Sequence, residues 1–185
     1  AQKPDFLYSA GYEDEQGKLT AYEWHFSRFA GDAFFKILYR SCAVNCNTVL
    51  VRKALLLDCG LFDESQELRG VEDWDLWLRI TRKSKVIYGS EKKLAHYRIH
   101  GGGIHHQMAR MFIGKLQVYL KYQHDPQIPR LVKLRQLRYT YRELINFLCE
   151  EKRYDEAKTY LRDFIKQDKF NPASWKQALF LKVLP

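Results

Sequence analysis

The densest group of chemistry-bearing side chains lies in the run Gly70-Val71-Glu72-Asp73-Trp74-Asp75-Leu76-Trp77-Leu78-Arg79. Three carboxylates fall within four residues, where the spacing of Val71, Trp74 and Leu78 predicts the first turn of a helix. Acids there complement the partial positive charge of a helix N-terminus, which accounts for any one of them without chemistry. The two tryptophans add a second argument. Apolar surroundings disfavour a charged carboxylate and move its pKa toward that of a useful general base, and large aromatic surfaces of this kind stack on sugar rings. Gly70, just before the helix, would let a substrate approach the backbone closely. These residues by themselves describe an acidic, aromatic-lined site. Arg79 stands four residues after Asp75, the spacing of a helix salt bridge.

The elements that must position this run alternate in type. Phe6–Tyr12 reads as a strand, DEQGK as a turn and Leu19–Trp24 as a returning strand. Asp32 precedes the periodic stretch AFFKILYR and is a candidate helix cap. NTVLV, from Asn47 to Val51, reads as a buried strand, and KALLLDCG as a short helix closed by Gly60. LFDESQELRG is a polar connection, and KVIYG and KKLAHYRI read as two further strands. Glycines 101–103 predict a hinge or a close approach to a ligand.

Beyond them the pattern is all helical. One apolar stripe runs through Met108, Met111, Phe112, Leu116, Tyr119 and Leu120, and HDPQIP ends it. A second runs through Leu134, Leu137, Tyr141, Leu144, Ile145 and Leu148, and a third through Tyr154, Ala157, Leu161, Phe164 and Ile165. Asn171-Pro172 has the order of a cap and first-turn proline for a last stripe through Trp175, Ala178, Leu179 and Val183. The segment EKRYDEAKTYLRDFIKQDKFNP resembles part of a tetratricopeptide-like hairpin, though a single partial copy fits a plain helical hairpin equally. The expected division is an α/β part over 1–106 and a helical appendage over 107–185.

Charge follows the same division. Lys and Arg outnumber Asp and Glu by only 15 to 14 up to His106, but by 16 to 8 beyond it, so the appendage carries nearly all of the net +9. A basic helical tail suits an acidic neighbour: a peripheral membrane surface, a phosphate-rich acceptor, another protein or nucleic acid. An ordinary solvated face explains it too. No helix-turn-helix, finger or RNA-binding strand signature accompanies the charge, which argues against nucleic acid. No run approaches the roughly 20 apolar residues of a membrane-spanning helix, and the first residues lack the order of a secretory signal. Cys42, Cys46, Cys59 and Cys149 lack the paired spacing of a zinc site and read as free thiols of a reducing, cytoplasmic setting.

In order and spacing, NTVLVRKALLLDCGLFDESQELRGVEDWDLWLRI followed by AHYRIHGGG is similar to the second half of the catalytic domain of family 2 glycosyltransferases with the GT-A fold. The matching positions are Arg52, Gly60, Phe62, Asp63 and Glu64, then Glu72, Asp73, Asp75, Leu76, Trp77, Leu78 and Arg79, then Tyr97, Arg98 and His100; the likeness covers about residues 5–105. The resemblance implies a partial GT-A (nucleotide-diphospho-sugar transferase) fold. It also implies a parent enzyme of polysaccharide or glycan assembly that moves a sugar, with inversion, from a nucleoside diphosphate sugar to a saccharide or lipid-linked hydroxyl. Asp73 is then the catalytic general base, with Glu72, Trp74 and Gly70 around the acceptor. Asp75 is a supporting or capping residue, and Leu76, Trp77 and Leu78 are packing. Arg98 and His100 approach the donor diphosphate, and His100 is a candidate ligand of its divalent metal, Mg2+ or Mn2+. His96 reads as a satisfied structural histidine. A separate zinc site from His100, His105 and His106 lacks a completing acid or cysteine.

The departure from the family is as informative. Its nucleotide-binding half ends in an Asp-x-Asp metal motif, and none precedes Asp73; Glu13-Asp14-Glu15 sits in an expected turn and Asp73-Trp74-Asp75 in the acceptor helix. The expectation is that this chain lacks the donor half and is inactive alone, and that sheet edges left open favour a partner or an oligomer. A peripheral place at the inner face of the plasma membrane would suit the basic tail. The reading from a different class is a non-catalytic helical scaffold or protein-docking module.

Overall fold

The computed structural model describes residues 3–22, 28–42, 44–99 and 108–168. The chain divides into two compact units, 1–106 and 107–185.

The first unit is mixed α/β. Strand β1 (Phe6–Glu15) turns through Gln16 and Gly17, both at positive φ, into β2 (Lys18–Tyr22). Asp14 Oδ1 accepts the Gly17 N–H at 2.9 Å, so the turn supplies its own polar partner. The rest of the unit comprises β3 (Arg28–Phe29), α1 (Gly31–Arg40), a 3-10 turn (Cys46–Thr48), β4 (Val49–Val51), α2 (Lys53–Asp58), a 3-10 turn (Gln66–Leu68), α3 (Glu72–Lys83) and β5 (Ile87–Ile99). The five strands form one mixed sheet in the order β2-β1-β5-β3, with β4 also on β1. Only β1 and β5 run parallel, from Phe6 beside Ile87 to Glu15 beside Ile99. Parallel neighbours need a crossover, and the stretch holding α1, α2 and α3 provides it.

One sheet face is dry. Phe6, Tyr8 and Ala10 alternate along β1 and are buried with Ile87 under Phe34, Leu38 and Tyr39 of α1 and Trp74, Trp77 and Leu78 of α3. Tyr8 stacks on Phe34 with ring centroids 5.1 Å apart, and Phe6 meets Trp77 edge-on at 5.2 Å. Gly31 lies so close to the end of α3 that a Cβ there would overlap the carbonyl oxygens of Thr81 and Ser84. This contact fixes α3, and the acids at its start, against α1.

Three expectations need correction. KVIYG and KKLAHYRI are one strand, because a bulge absorbs the extra residues: Ser9 pairs with Ser90, Ala10 with Lys93 and Gly11 with Ala95. Asn47–Val51 is not a buried strand; pairing begins at Val49, and Leu50 is 72% exposed on an edge. Asp32 does not cap α1, whose first turn starts from Ala30 and holds Asp32 inside it. Gly60 does close α2 at φ +82, with Gly60 N–H bonded to Leu57 O and Leu61 N–H to Leu56 O, the paired bonds of a left-handed helix end.

The described part of the second unit is helical: α4 (Met108–Lys121), α5 (Arg130–Glu150) and α6 (Tyr154–Gln167). Leu137, Tyr141, Leu144, Ile145 and Leu148 of α5, and Ala157, Leu161 and Phe164 of α6 are buried as their stripes predict; on α4 Leu116 and Tyr119 are buried with Val118, which the predicted stripe omits, while Met108 is 40% exposed. Tyr141 stacks on Phe164 at 5.1 Å. Lys133 ties the α4–α5 connection by donating to the carbonyls of Gln123 and Asp125 at 2.8 and 2.7 Å. The α5–α6 turn puts Lys152 at φ +60, with Arg153 N–H bonded to Leu148 O. The fourth stripe, glycines 101–103, His100, His105 and His106 lie outside the described residues. No described helix is long and apolar enough to cross a membrane.

Candidate functional site

The site is built at the start of α3. Gly70 turns the chain at φ +93, and its N–H donates to a carboxylate oxygen of Glu72. Glu72 is thereby folded back over the entry to the helix. Asp73 Oδ1 accepts the Trp74 N–H at 2.7 Å. Burial pushes the Asp73 carboxyl up from 3.8 to about 6; the charge of Glu72 adds to the rise, and the Trp74 N–H opposes it. Desolvation therefore outweighs a hydrogen bond that favours the carboxylate. At neutral pH the group is mostly ionised yet far more basic than an ordinary aspartate, which is what proton removal from a hydroxyl requires.

Asp75 points the other way. It is fully buried, and Arg79 Nε donates to its Oδ2 at 2.9 Å, the expected four-residue pair. The same guanidinium donates to the backbone oxygens of Cys59 and Leu61. Arg79 thus fastens the end of α2 to α3, and with it the Phe62-Asp63-Glu64 segment that follows Leu61. Leu61 is itself at φ +61, a conformation that is costly outside glycine and that the Arg79 contact helps hold.

That segment walls an open cleft of about 270 Å3 lined by Phe62, Asp63, Glu64, Ser65, Gln66, Arg69 and Glu72. Phe62 is 41% exposed, with its ring edge-on to Trp77 at 6.3 Å. Asp63 Oδ1 accepts the Ser65 N–H at 3.1 Å and shapes the turn. The cleft presents carboxylates, one guanidinium and one aromatic ring, and Glu72 joins it to Asp73 on the same helix turn.

The expected residues separate into groups. Glu72, Asp73 and Gly70 are together. Trp74, expected at the acceptor wall, is a core residue: it is 1% exposed and its Nε1–H donates to Leu38 O at 2.8 Å, leaving no face for a ligand. Trp77 is likewise buried, so Phe62 supplies the accessible aromatic surface. Arg98 is exposed on β5 in register with Asp14 of β1, on the sheet rather than at α3. His96 is also exposed, with its ring edge-on to Tyr12 at 5.4 Å and its carbonyl accepting from Asn47. Cys46 was not anticipated. Burial, then the charges of Asp73 and of Glu72, push its thiol pKa up, which places this exposed thiol within the electrostatic reach of both acids. No spacing signal marks it, since the 3-10 turn that carries it is distant in sequence. All four cysteines are free thiols.

Among the described residues, no group of three or more His, Cys, Asp and Glu side chains could hold a metal ion. His100, beside which the divalent ion is expected, lies outside the described residues. No protein-family model matches the chain, and no curated protein is matched by its sequence.

Proposed function

We propose that the cleft at the start of α3 is the acceptor site of an inverting glycosyltransferase and that the first unit is the acceptor-side part of a GT-A fold. The observation that carries this reading is the acid pair at the start of α3: Glu72 lines an open cleft with hydrogen-bonding acids and an exposed ring, and the adjacent Asp73, which is not among the lining residues, is a carboxyl raised to about 6 by burial. Sugars combine hydroxyls with apolar ring faces, and this lining answers both. Asp73 takes the proton of an acceptor hydroxyl as that oxygen forms its bond to the anomeric carbon; the bond from that carbon to the nucleoside diphosphate breaks on the opposite side, so configuration inverts. Glu72 keeps the helix entry in place and raises the basicity of its neighbour. Arg79 holds the cleft wall. The acceptor is a saccharide or lipid-linked hydroxyl, and the donor a nucleoside diphosphate sugar, for which the described residues form no evident site.

Calorimetric titration tests this division. The chain should bind oligosaccharides in a manner lost in Asp73→Ala, and should not bind UDP-glucose or GDP-mannose with manganese. Tight, metal-dependent nucleotide-sugar binding would mean that the donor site lies in this chain. Absence of any saccharide binding would remove the acceptor reading.

A further inference from the structure

The second unit carries a surface that the sugar chemistry does not use. From Arg130 to Arg142, α5 holds five basic residues and no acid. The exposed stripe of the helix runs through Leu131, Arg135, Arg138, Tyr139 and Arg142, at spacings of three, four and seven residues that align on one side. At 1.5 Å rise per residue the stripe is about 17 Å long. Its opposite side, from Leu137 to Leu148, is the packed core, so the stripe is displayed by a rigid helix.

Composition and order select the partner. Leu131 is 80% exposed and Tyr139 53% exposed, so the basic stripe carries apolar and aromatic surface at its start and near its end. The Arg142 guanidinium lies 5.6 Å from the Tyr139 ring centre. Arg138 pairs with Asp168 at 2.5 Å and Arg142 with Glu143 at 3.3 Å, both partly exposed; among the described residues Arg135 has no ion pair. A duplex or single strand would satisfy the arginines and the tyrosine but offers no apolar bed for Leu131. An anionic bilayer offers all three: phosphates for guanidinium groups, a headgroup boundary for Tyr, and acyl chains for Leu.

We propose that this stripe of α5 docks the protein on a membrane surface through anionic lipid headgroups. The contact is peripheral and electrostatic, seated by Leu131 and Tyr139, and salt weakens it.

The test is co-sedimentation of the full chain with vesicles of phosphatidylcholine alone and with vesicles carrying about one-quarter phosphatidylglycerol. The chain should partition onto the anionic vesicles and not the neutral ones, and release at about 0.5 M salt. Arg135→Glu, which breaks no ion pair among the described residues and changes the charge by two, should weaken partitioning about 25-fold, and Arg135→Glu/Arg142→Glu by about 600-fold, at roughly a factor of five per charge. Leu131→Ser should weaken it at unchanged charge. The melting curve of Arg135→Glu confirms folding, so its result stands even if the double variant is damaged. Equal binding to neutral vesicles, no binding to anionic ones, or wild-type binding by Arg135→Glu would overturn the proposal. So would displacement from vesicles by an oligonucleotide bound more tightly through the same residues.

Discussion

Asp73→Asn should stabilise the first unit at neutral pH while removing the proposed base. In the folded chain the carboxyl titrates at about 6, against 3.8 as an ordinary aspartate. A carboxyl with a raised folded pKa binds a proton more tightly when folded. Its favourable contribution is complete below the unfolded value and is lost as pH rises through the folded one, so the window runs from about pH 4 to 6. At 1.36 kcal/mol per pKa unit, the shift corresponds to about 3 kcal/mol, which partial solvent access trims to about 2. Asparagine keeps an oxygen for the Trp74 N–H and carries no charge. The assay is urea denaturation of both proteins between pH 4 and 8, comparing midpoints so that the other carboxylates cancel. The two should be equally stable near pH 4 and separate with rising pH, the variant ending about 2 kcal/mol ahead above pH 7. A pH-independent difference, or a variant less stable at pH 7, would refute the buried-base argument.

Three further outcomes follow from the packing. Arg79→Met removes the ion pair of the buried Asp75 carboxylate and should cost about 3 kcal/mol by denaturant midpoint, with increased protease cleavage near Phe62 because the wall loses its fastening. Gly31→Ala should cost about 2 kcal/mol or more in a thermal melt, since the carbonyls of Thr81 and Ser84 are backbone and cannot step aside. Lys152→Gly should raise the stability of the helical unit by about 0.5–1 kcal/mol, because glycine adopts φ +60 without the side-chain penalty.

Much of this was legible in the sequence, for identifiable reasons. Amphipathic stripes in the second half had three-turn length and clear breakers, so their helices emerge as read. Gly60 as a helix stop and Asp75–Arg79 as a pair follow from local geometry that tertiary context did not override. The acids of α3 were legible as a group, but not their division of labour. Periodicity could not say that Trp74 turns inward to Leu38, or that Asp75 is fully buried while Glu72 lines the cleft, because Trp74 and Trp77 are equally apolar as letters. Phe62 was matched by resemblance alone, and it follows Leu61, whose positive φ no apolar pattern signals. Single-strand continuity through Ser90–Lys93 was hidden because polar residues in a bulge look like a turn. Cys46 could not be found at all without the fold that brings it near Asp73.

The most direct test of the central claim is carbon-detected NMR of the Asp73 carboxyl, titrated with pH in the absence and presence of an oligosaccharide. The free chain should show a midpoint near 6, and saccharide should shift both that signal and the amides of Phe62–Gln66 and Glu72. A midpoint near the ordinary 3.8, or saccharide-induced shifts confined to residues away from α3, would contradict it.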